Sequence, residues 1–232
     1  MKAMILAAGF GKRLRPLTLE LPKPLVPANG KALIEYPIAR LKAADVTDIV
    51  INLGYLGHKI QAYLGDGQRF GVNIQYSVES ETDPLETAGG IKQALPLLGD
   101  APFIVVNADV WTDIAFEPLI NKPLDDDTLG HLVLIPNPDF KQGQGDFALA
   151  SDQKGSPSSR LILGKDYTFS GVSLLKPELL NSVPKQLPMA LRPVLEQAIA
   201  KRQLSANVYQ GPWFDVGTIE RLEQLNRFLQ PS

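Results

Sequence analysis

The apolar residues of this chain fall into short unbroken runs near the start and into helical spacings between them. Lys2 to Ala7 (KAMILA) is an apolar run that ends in Ala-Gly, as a strand buried on both faces would. Leu33 to Ala44 carries Ile34, Ile38 and Leu41 on one helical face, with Pro37 tolerable in a first turn. Asp48 to Asn52 is a second strand, Gly57 to Leu64 a short helix, and Val72 to Val78 a third strand. Thr87 to Leu95 is a helix and Phe103 to Asn107 (FIVVN) a fourth strand. Strand and helix alternate at the spacing of a parallel sheet wound with helices.

Past Asp109 the texture changes. Leu129 to Ile135, Phe147 to Ala150, Arg160 to Leu163 and Thr168 to Leu175 are strand-like pieces separated by Pro, Gly and Ser. Helices return at Met189 to Arg202 and Thr218 to Leu229, on either side of a strand-like Leu204 to Tyr209. Ser151 to Ser159 (SDQKGSPSS) reads as a loop. No long linker separates the halves, so the expectation is one α/β domain over 1–232. Its fold class is Rossmann-like, with a mixed, mostly parallel central sheet flanked by helices. Its two halves would span about 1–110 and about 111–232.

Composition narrows the function classes. The chain of 232 residues has no cysteine, which excludes thiol catalysis and cysteine-ligated metal centres. Its net charge is −2, yet residues 1–42 hold eight Lys/Arg against Glu20 and Glu35, a balance of +6. A nucleic-acid binder would be more basic overall; a local basic start suits a small polyanion such as a triphosphate. Neither a secretory signal nor a run of about 20 apolar residues is visible, so a cytoplasmic protein without membrane or nucleic-acid partners is expected. Oligomeric state stays open, because Trp111, Trp213 and the apolar helices can all be core.

The candidate chemistry starts at Leu6-Ala-Ala-Gly-Phe-Gly-Lys-Arg-Leu-Arg-Pro-Leu-Thr18, directly after the first strand. Gly9 and Gly11 let backbone N–H groups approach phosphate oxygens, and Lys12, Arg13 and Arg15 add charge. Leu14 occupies the position where a dinucleotide fingerprint needs its third glycine, and the Walker spacing is absent. What remains is G-x-G-x-R, with Pro22-Lys23-Pro24 shortly after.

That combination resembles the sugar-phosphate nucleotidyltransferase family, whose loop reads L-A-A-G-x-G-x-R before a K-P pair. The resemblance implies a nucleotide-binding first half and a sugar-binding second half, with Leu6, Ala7 and Ala8 in the nucleotide site, Gly9, Gly11 and Arg13 on the β/γ phosphates, and Lys23 on the α-phosphate or the sugar phosphate. It makes Arg13 and Lys23 the catalytic cations. Asp109, in Asn107-Ala-Asp109, and Asp215, in Asp215-Val-Gly-Thr218, match the family's carboxylates for Mg²⁺, with Asn107 in the nucleotide site. Thr218 would cap the helix that follows and Gly217 would make the bend. Ser77 to Gly90 is similar to the base loop, so Glu79, Leu85 and Thr87 would meet the base. Glu86 stands where glycine is common, and Thr87 reads equally well as a helix cap.

On the sugar side, Asn137, Gly145, Ser170 and Gly171 occupy the family's order of contacts, and Lys165 would replace the lysine of a missing E-K-P element. L-E-T-A-G-G, N-A-D-V-W and N-P-D-F are most similar to the compact bacterial N-acetylmuramate 1-phosphate uridylyltransferases of cell-wall recycling. The expected substrates are thus UTP and that sugar phosphate, with other nucleotide and sugar pairs, or a catalytically inactive nucleotide-sugar-binding subunit, as alternatives. The sequence runs only a short way past Thr218 and its helix, so the β-helix domain of larger relatives is not expected. Asp125 to Asp127, Asp139, Asp146 and Asp166 are read as solvated loop acids, and His58 and His131 as surface or packing residues.

Overall fold

The computed structural model describes residues 1–121, 124–150 and 159–230. Along the chain run β1 (Lys2–Leu6), β2 (Pro27–Ala28), β3 (Lys31–Ala32), α1 (Glu35–Ala43), β4 (Asp48–Leu53), α2 (Gly57–Leu64), β5 (Asn73–Val78) and α3 (Glu86–Leu98). They are followed by β6 (Phe103–Asn107), β7 (Val110–Thr112), α4 (Glu117–Asn121), β8 (Gly130–Pro136), β9 (Phe147–Leu149), β10 (Ser159–Leu163) and β11 (Tyr167–Leu175). The chain closes with α5 (Leu191–Ala200), β12 (Leu204–Val208), β13 (Trp213–Asp215) and α6 (Ile219–Phe228). Apart from Ser159, the loop expected over Ser151 to Ser159 lies outside the described residues.

Nine strands form one sheet in the order β5-β4-β1-β6-β11-β8-β12-β10-β9. The first four are parallel, β11 runs against β6 and β8, and β10 runs against β12 and β9. The mixed, mostly parallel sheet follows from the sequence pattern, and β11 carries it unbroken from the first half into the second. The unbroken apolar runs have a direct cause, because both faces of these strands are covered. Ala3, Ile5, Ile49, Ile51, Ile104 and Val106 belong to one core cluster; the alternating Met4, Val50, Phe103 and Val105 belong to another on the opposite face. No helix among the described residues is long and apolar enough to cross a membrane.

Two small pairings were not evident from the pattern. β2 and β3 form a hairpin around Asn29-Gly30, both with positive φ (46° and 78°), which is the two-residue turn that Asn-Gly favours. β7 pairs antiparallel with β13, setting Phe214 opposite Trp111 and Asp215 opposite Val110. A third apolar cluster (Val26, Ala28, Leu33, Val216, Leu222 and Leu225) packs the hairpin against α6, roofed by Trp111, Phe214 and Phe228 with ring centroids 5.0–5.8 Å apart. This cluster brings the end of the chain back to its beginning. Leu225 is fully buried in it. Leu225→Ala should therefore cost about 2–5 kcal/mol, read as a lower urea midpoint at unchanged slope.

Candidate active site

Parallel strands bring their carboxyl ends to one edge of the sheet, where open α/β sheets bind ligands. Ala7, Asn52, Glu79 and Asn107 all stand at that edge, around a crevice of about 280 Å³. Three strand ends are tied together by a buried chain of hydrogen bonds. The Ala7 N–H donates to Asn52 Oδ1 (2.8 Å), Asn52 Nδ2 donates to Glu79 Oε1 (2.7 Å), and the Leu85 N–H donates to Glu79 Oε2 (2.9 Å). Glu79, expected to meet the base, thus also locks the base loop to the glycine loop. Asn52 was not singled out from the sequence; a polar residue ending an apolar strand run was the available signal.

The glycine loop is shaped from beneath. Gly11 has φ +62°, and a Cβ there would meet Lys23 Cβ at 3.0 Å, so this turn needs glycine. Thr18, fully buried, donates from Oγ1 to the Gly11 carbonyl (2.8 Å). Gly9 has open space where a side chain would be, so its backbone faces the crevice unobstructed. Leu6, Ala7, Ala8, Gly9, Lys23, Glu79, Thr87, Asn107 and Asp109 all line the crevice. Leu85 is buried behind it, and Arg13 and Gly11 lie beyond its lining.

At one end of the crevice sits a compact charge centre. Lys23 Nζ pairs with Asp109, and Arg221 Nη1 donates to Asp215 Oδ2 (2.8 Å). The two carboxylates come from neighbouring backbone, because β7 and β13 pair and the Val216 N–H donates to the Asp109 carbonyl (2.9 Å). Arg13 joins them: a Cβ on Gly217 would lie 2.1 Å from Arg221 Nη2 and 3.0 Å from Arg13 Nη2. The backbone turns there as expected, the Gly217 N–H donating to the Asp215 carbonyl at 2.8 Å; its φ is not positive, and the space of a side chain is taken by two guanidinium groups. Thr218 does cap α6, accepting from the Arg221 N–H at 3.3 Å. Arg221 escaped the sequence reading; its place in the first turn after Asp215-Val-Gly-Thr218 was the only signal.

Below this centre the turn after β7 is clamped. Arg40 donates to the carbonyls of Asp113 and Ile114, and the Tyr209 hydroxyl donates to the Asp113 carboxylate. Burial, aided by that carboxylate, pushes the Tyr209 phenol up to about 12, so it remains a donor at neutral pH.

The expected sugar contacts separate into two groups. Asn137 spends its amide on the Lys165 carbonyl (2.8 Å) and the Thr168 hydroxyl (2.9 Å), and Gly145 is packed so tightly that a Cβ would meet Asn137 Oδ1 and the Lys165 carbonyl at 2.5 Å. Lys165 Nζ reaches Gln144 on the surface. Those three residues build the turn joining β8, β9 and β11. Gly171 instead lies against the crevice wall, since a Cβ added there would meet Asn107 Nδ2 at 2.8 Å, and Ser170 is buried with its carbonyl accepting from Trp213 Nε1 (2.8 Å). Beyond Asp215 opens a second cavity of about 720 Å³, walled by Asn137, Phe140, Trp213, Asp215 and Arg221.

Loop acids and histidines read as bland behave so. Asp125 to Asp127 are exposed, His131 bridges Ser205 and Asn207 at 2.8 Å across β8 and β12, and His58 lies on the surface beside Glu81. Asp146 differs, because it pairs with Lys141 and accepts from the Phe169 N–H (3.0 Å), which makes it a loop anchor.

The backbone at Glu86 accounts for glycine being common at this position: its φ is +56°, the left-handed region that glycine enters freely and other residues at a cost. Thr87 is not a cap, since Leu85 holds the N-cap position of α3 without a side-chain hydrogen bond and the Met189 carbonyl accepts from the Ala88 and Gly89 N–H groups. Glu86→Gly should consequently be neutral or stabilising by up to about 1 kcal/mol, whereas the β-branched Glu86→Val should destabilise by about 1–2 kcal/mol. Paired urea titrations give both values.

The chain is similar in sequence and fold to known proteins. The family model described as nucleotidyl transferase matches residues 2–142. The N-acetylmuramate alpha-1-phosphate uridylyltransferase of Neisseria meningitidis is 46% identical over 226 residues, covering 97% of this chain and 96% of that protein. A mannose-1-phosphate guanyltransferase of Hypocrea jecorina is 34% identical over 94% of this chain and 61% of its own length. Among solved structures, a Bacillus anthracis chain assigned as a glucose-1-phosphate thymidylyltransferase superposes with a TM-score of 0.84 over 98% of this chain and 94% of its own, at 23% identity, a likeness of fold. With a model match over more than half its length and a near full-length relative at 46% identity, the chain belongs to the nucleotidyl transferase family.

Proposed function

We propose that the protein transfers a uridylyl group from UTP to N-acetylmuramate 1-phosphate and releases pyrophosphate. The observation that carries this reading is the convergence of Arg13, Lys23, Asp109 and Asp215 between a nucleotide-sized crevice and a second cavity. The choice of substrates rests on the Neisseria relative, whose name states that activity.

The donor set fits a magnesium ion. Two hard carboxylate donors stand on adjacent backbone, each already drawing a cationic side chain, and among the described residues no cluster of three His, Cys, Asp or Glu offers a rival site. Asp109 and Asp215 would hold Mg²⁺, which takes one or two protein carboxylates and fills its shell with water and phosphate oxygens. Bound there, the ion supplies Lewis-acid neutralisation of phosphoryl charge.

The protein's own groups account for the rest. The open backbone at Gly9 and the Arg13 guanidinium receive the β- and γ-phosphates, and Lys23, released from Asp109, meets the α-phosphate. The acceptor is a phosphate monoester, anionic at neutral pH, so its oxygen attacks without a general base. A new bond forms to the α-phosphorus as the bond to the β-phosphate bridging oxygen breaks, and the electron pair leaves with pyrophosphate. Catalysis is then positioning plus charge compensation.

Pyrophosphate release measured over UTP, dTTP, GTP and CTP against several sugar 1-phosphates tests the assignment, and UTP with N-acetylmuramate 1-phosphate should give the highest kcat/KM. Guanylyl transfer to mannose 1-phosphate, the activity named for the fungal relative, is the competing outcome. Arg13→Ala and Asp109→Asn should each lower kcat at least ~100-fold, the scale of losing a charge-stabilising contact; near-normal turnover in either removes that residue from the mechanism. In thermal unfolding, UTP at about 100 times its Kd should add about 2.7 kcal/mol, and CTP at the same concentration much less.

A further inference from the structure

Arg221 is more buried and less satisfied than its role as a partner for Asp215 explains. Its side chain is 11% exposed. Its guanidinium is stacked over Phe140, 4.4 Å from the ring centroid, and Phe140 in turn lies parallel to Trp213 at 6.5 Å. Among the described residues this guanidinium makes a single hydrogen bond, from Nη1 to Asp215. A guanidinium carries five N–H donors in a rigid fork. Nη2 is pressed into the space beside Gly217, next to the guanidinium of Arg13, and the residue lines the 720 Å³ cavity on the far side of Asp215 from the nucleotide crevice. Arg221 is the cationic residue of that lining, set against its partner Asp215 and the exposed carboxylates Asp139 and Glu220.

We propose that Arg221 selects the acceptor: it holds Asp215 in the metal-free protein, is released when a divalent cation takes that carboxylate, and then binds an oxyanion of the incoming sugar phosphate. The inference rests on the proposed function and deepens it. The nucleotide occupies the crevice that Asp109 lines, so the second reactant approaches through the cavity that Asp215 and Arg221 line. A planar, pre-stacked guanidinium fits a bidentate oxyanion better than a lysine would. N-acetylmuramate 1-phosphate has two such groups, the C1 phosphate and the lactyl carboxylate; N-acetylglucosamine 1-phosphate has only the phosphate.

Steady-state kinetics of Arg221→Gln with UTP and each of these acceptors tests the inference. The wild type is measured first; absence of turnover with any sugar 1-phosphate would sink the functional reading itself. The variant should raise KM for N-acetylmuramate 1-phosphate by about tenfold or more, the scale of a lost hydrogen bond to a charged group, with KM for UTP within about twofold. Loss confined to the carboxylated acceptor assigns Arg221 to the lactyl group, and equal loss with both acceptors assigns it to the phosphate. Unchanged KM for both, or a rise confined to UTP, overturns the proposal. Mn²⁺ binding, followed by electron paramagnetic resonance without substrates, reads the exchange independently of turnover. Arg221→Gln should bind Mn²⁺ severalfold more tightly because Asp215 has lost its competing partner, and equal or weaker binding refutes the release step. Should the glutamine variant fail to fold, Arg221→Lys keeps the charge without the fork and should show the same rise in acceptor KM in smaller degree.

Discussion

Two carboxylates brought to neighbouring backbone repel, and the architecture of this protein is arranged around that repulsion. Unit charges a few ångströms apart interact by roughly 4 kcal/mol in the effective dielectric near a protein surface. Asp109 and Asp215 bear that strain because Lys23 and Arg221 each take one of them, while Arg13 stands over Gly217 beside Arg221. Three cations thus accompany two anions, which leaves the centre short of one negative charge. Such a surplus of positive charge favours a polyanion. On the proposed function, the cations that make the pair of acids tolerable would become available to phosphate once another positive charge takes their place.

Geometry of that precision cannot be left to the loops that carry the charges. Lys23 sits in a short turn, Asp109 just past a strand end, and Asp215 at the end of a three-residue strand more than a hundred positions later. Their meeting depends on the β7–β13 ladder and on the apolar cluster that binds the N-terminal hairpin to α6. Aromatic stacking of Trp111, Phe214 and Phe228 gives this small unit the rigidity that its few backbone hydrogen bonds would not. The central sheet plays a different part. It fixes Ala7, Asn52, Glu79 and Asn107 at one level, and the large cores on its two faces hold that level against motion.

Legibility in the sequence followed the range of the interactions. The strands of the first half were readable because burial on both faces leaves unbroken apolar runs, and Gly57 to Leu64 and Phe103 to Asn107 were bounded as the structure has them. The glycine loop, Lys23, Asp109 and Asp215 were readable as a local motif. What was not readable depended on partners distant in sequence. Asn137, Gly145 and Lys165 stand in the order of ligand contacts along the chain; that they also pack against one another, with Asn137 on the wall of the 720 Å³ cavity, is visible only in space. Asn52 looks like an ordinary strand end until Ala7 and Glu79 arrive on either side of it. Arg221 is one of several basic helix residues until Asp215 and Phe140 fold against it.

The Asn52–Glu79 bridge has a further consequence for recognition. A carboxylate only accepts hydrogen bonds, whereas a glutamine could turn its amide to donate or accept. With Asn52 Nδ2 and the Leu85 N–H donating to separate oxygens of Glu79, the carboxylate is fixed from two sides, and each oxygen retains a lone pair. Were the base of the proposed donor to lie against this carboxylate, one with an N–H donor at its Watson–Crick edge, as uracil has at N3, would find an acceptor there; cytosine presents an acceptor at the same atom and would set two lone pairs against each other. Because the Asn52 amide also receives the Ala7 N–H, such a base would pull on the glycine loop through two hydrogen bonds. On the proposed function, base recognition and phosphate placement would then be coupled through this bridge, and discrimination among nucleotides would be expressed where the phosphates are held.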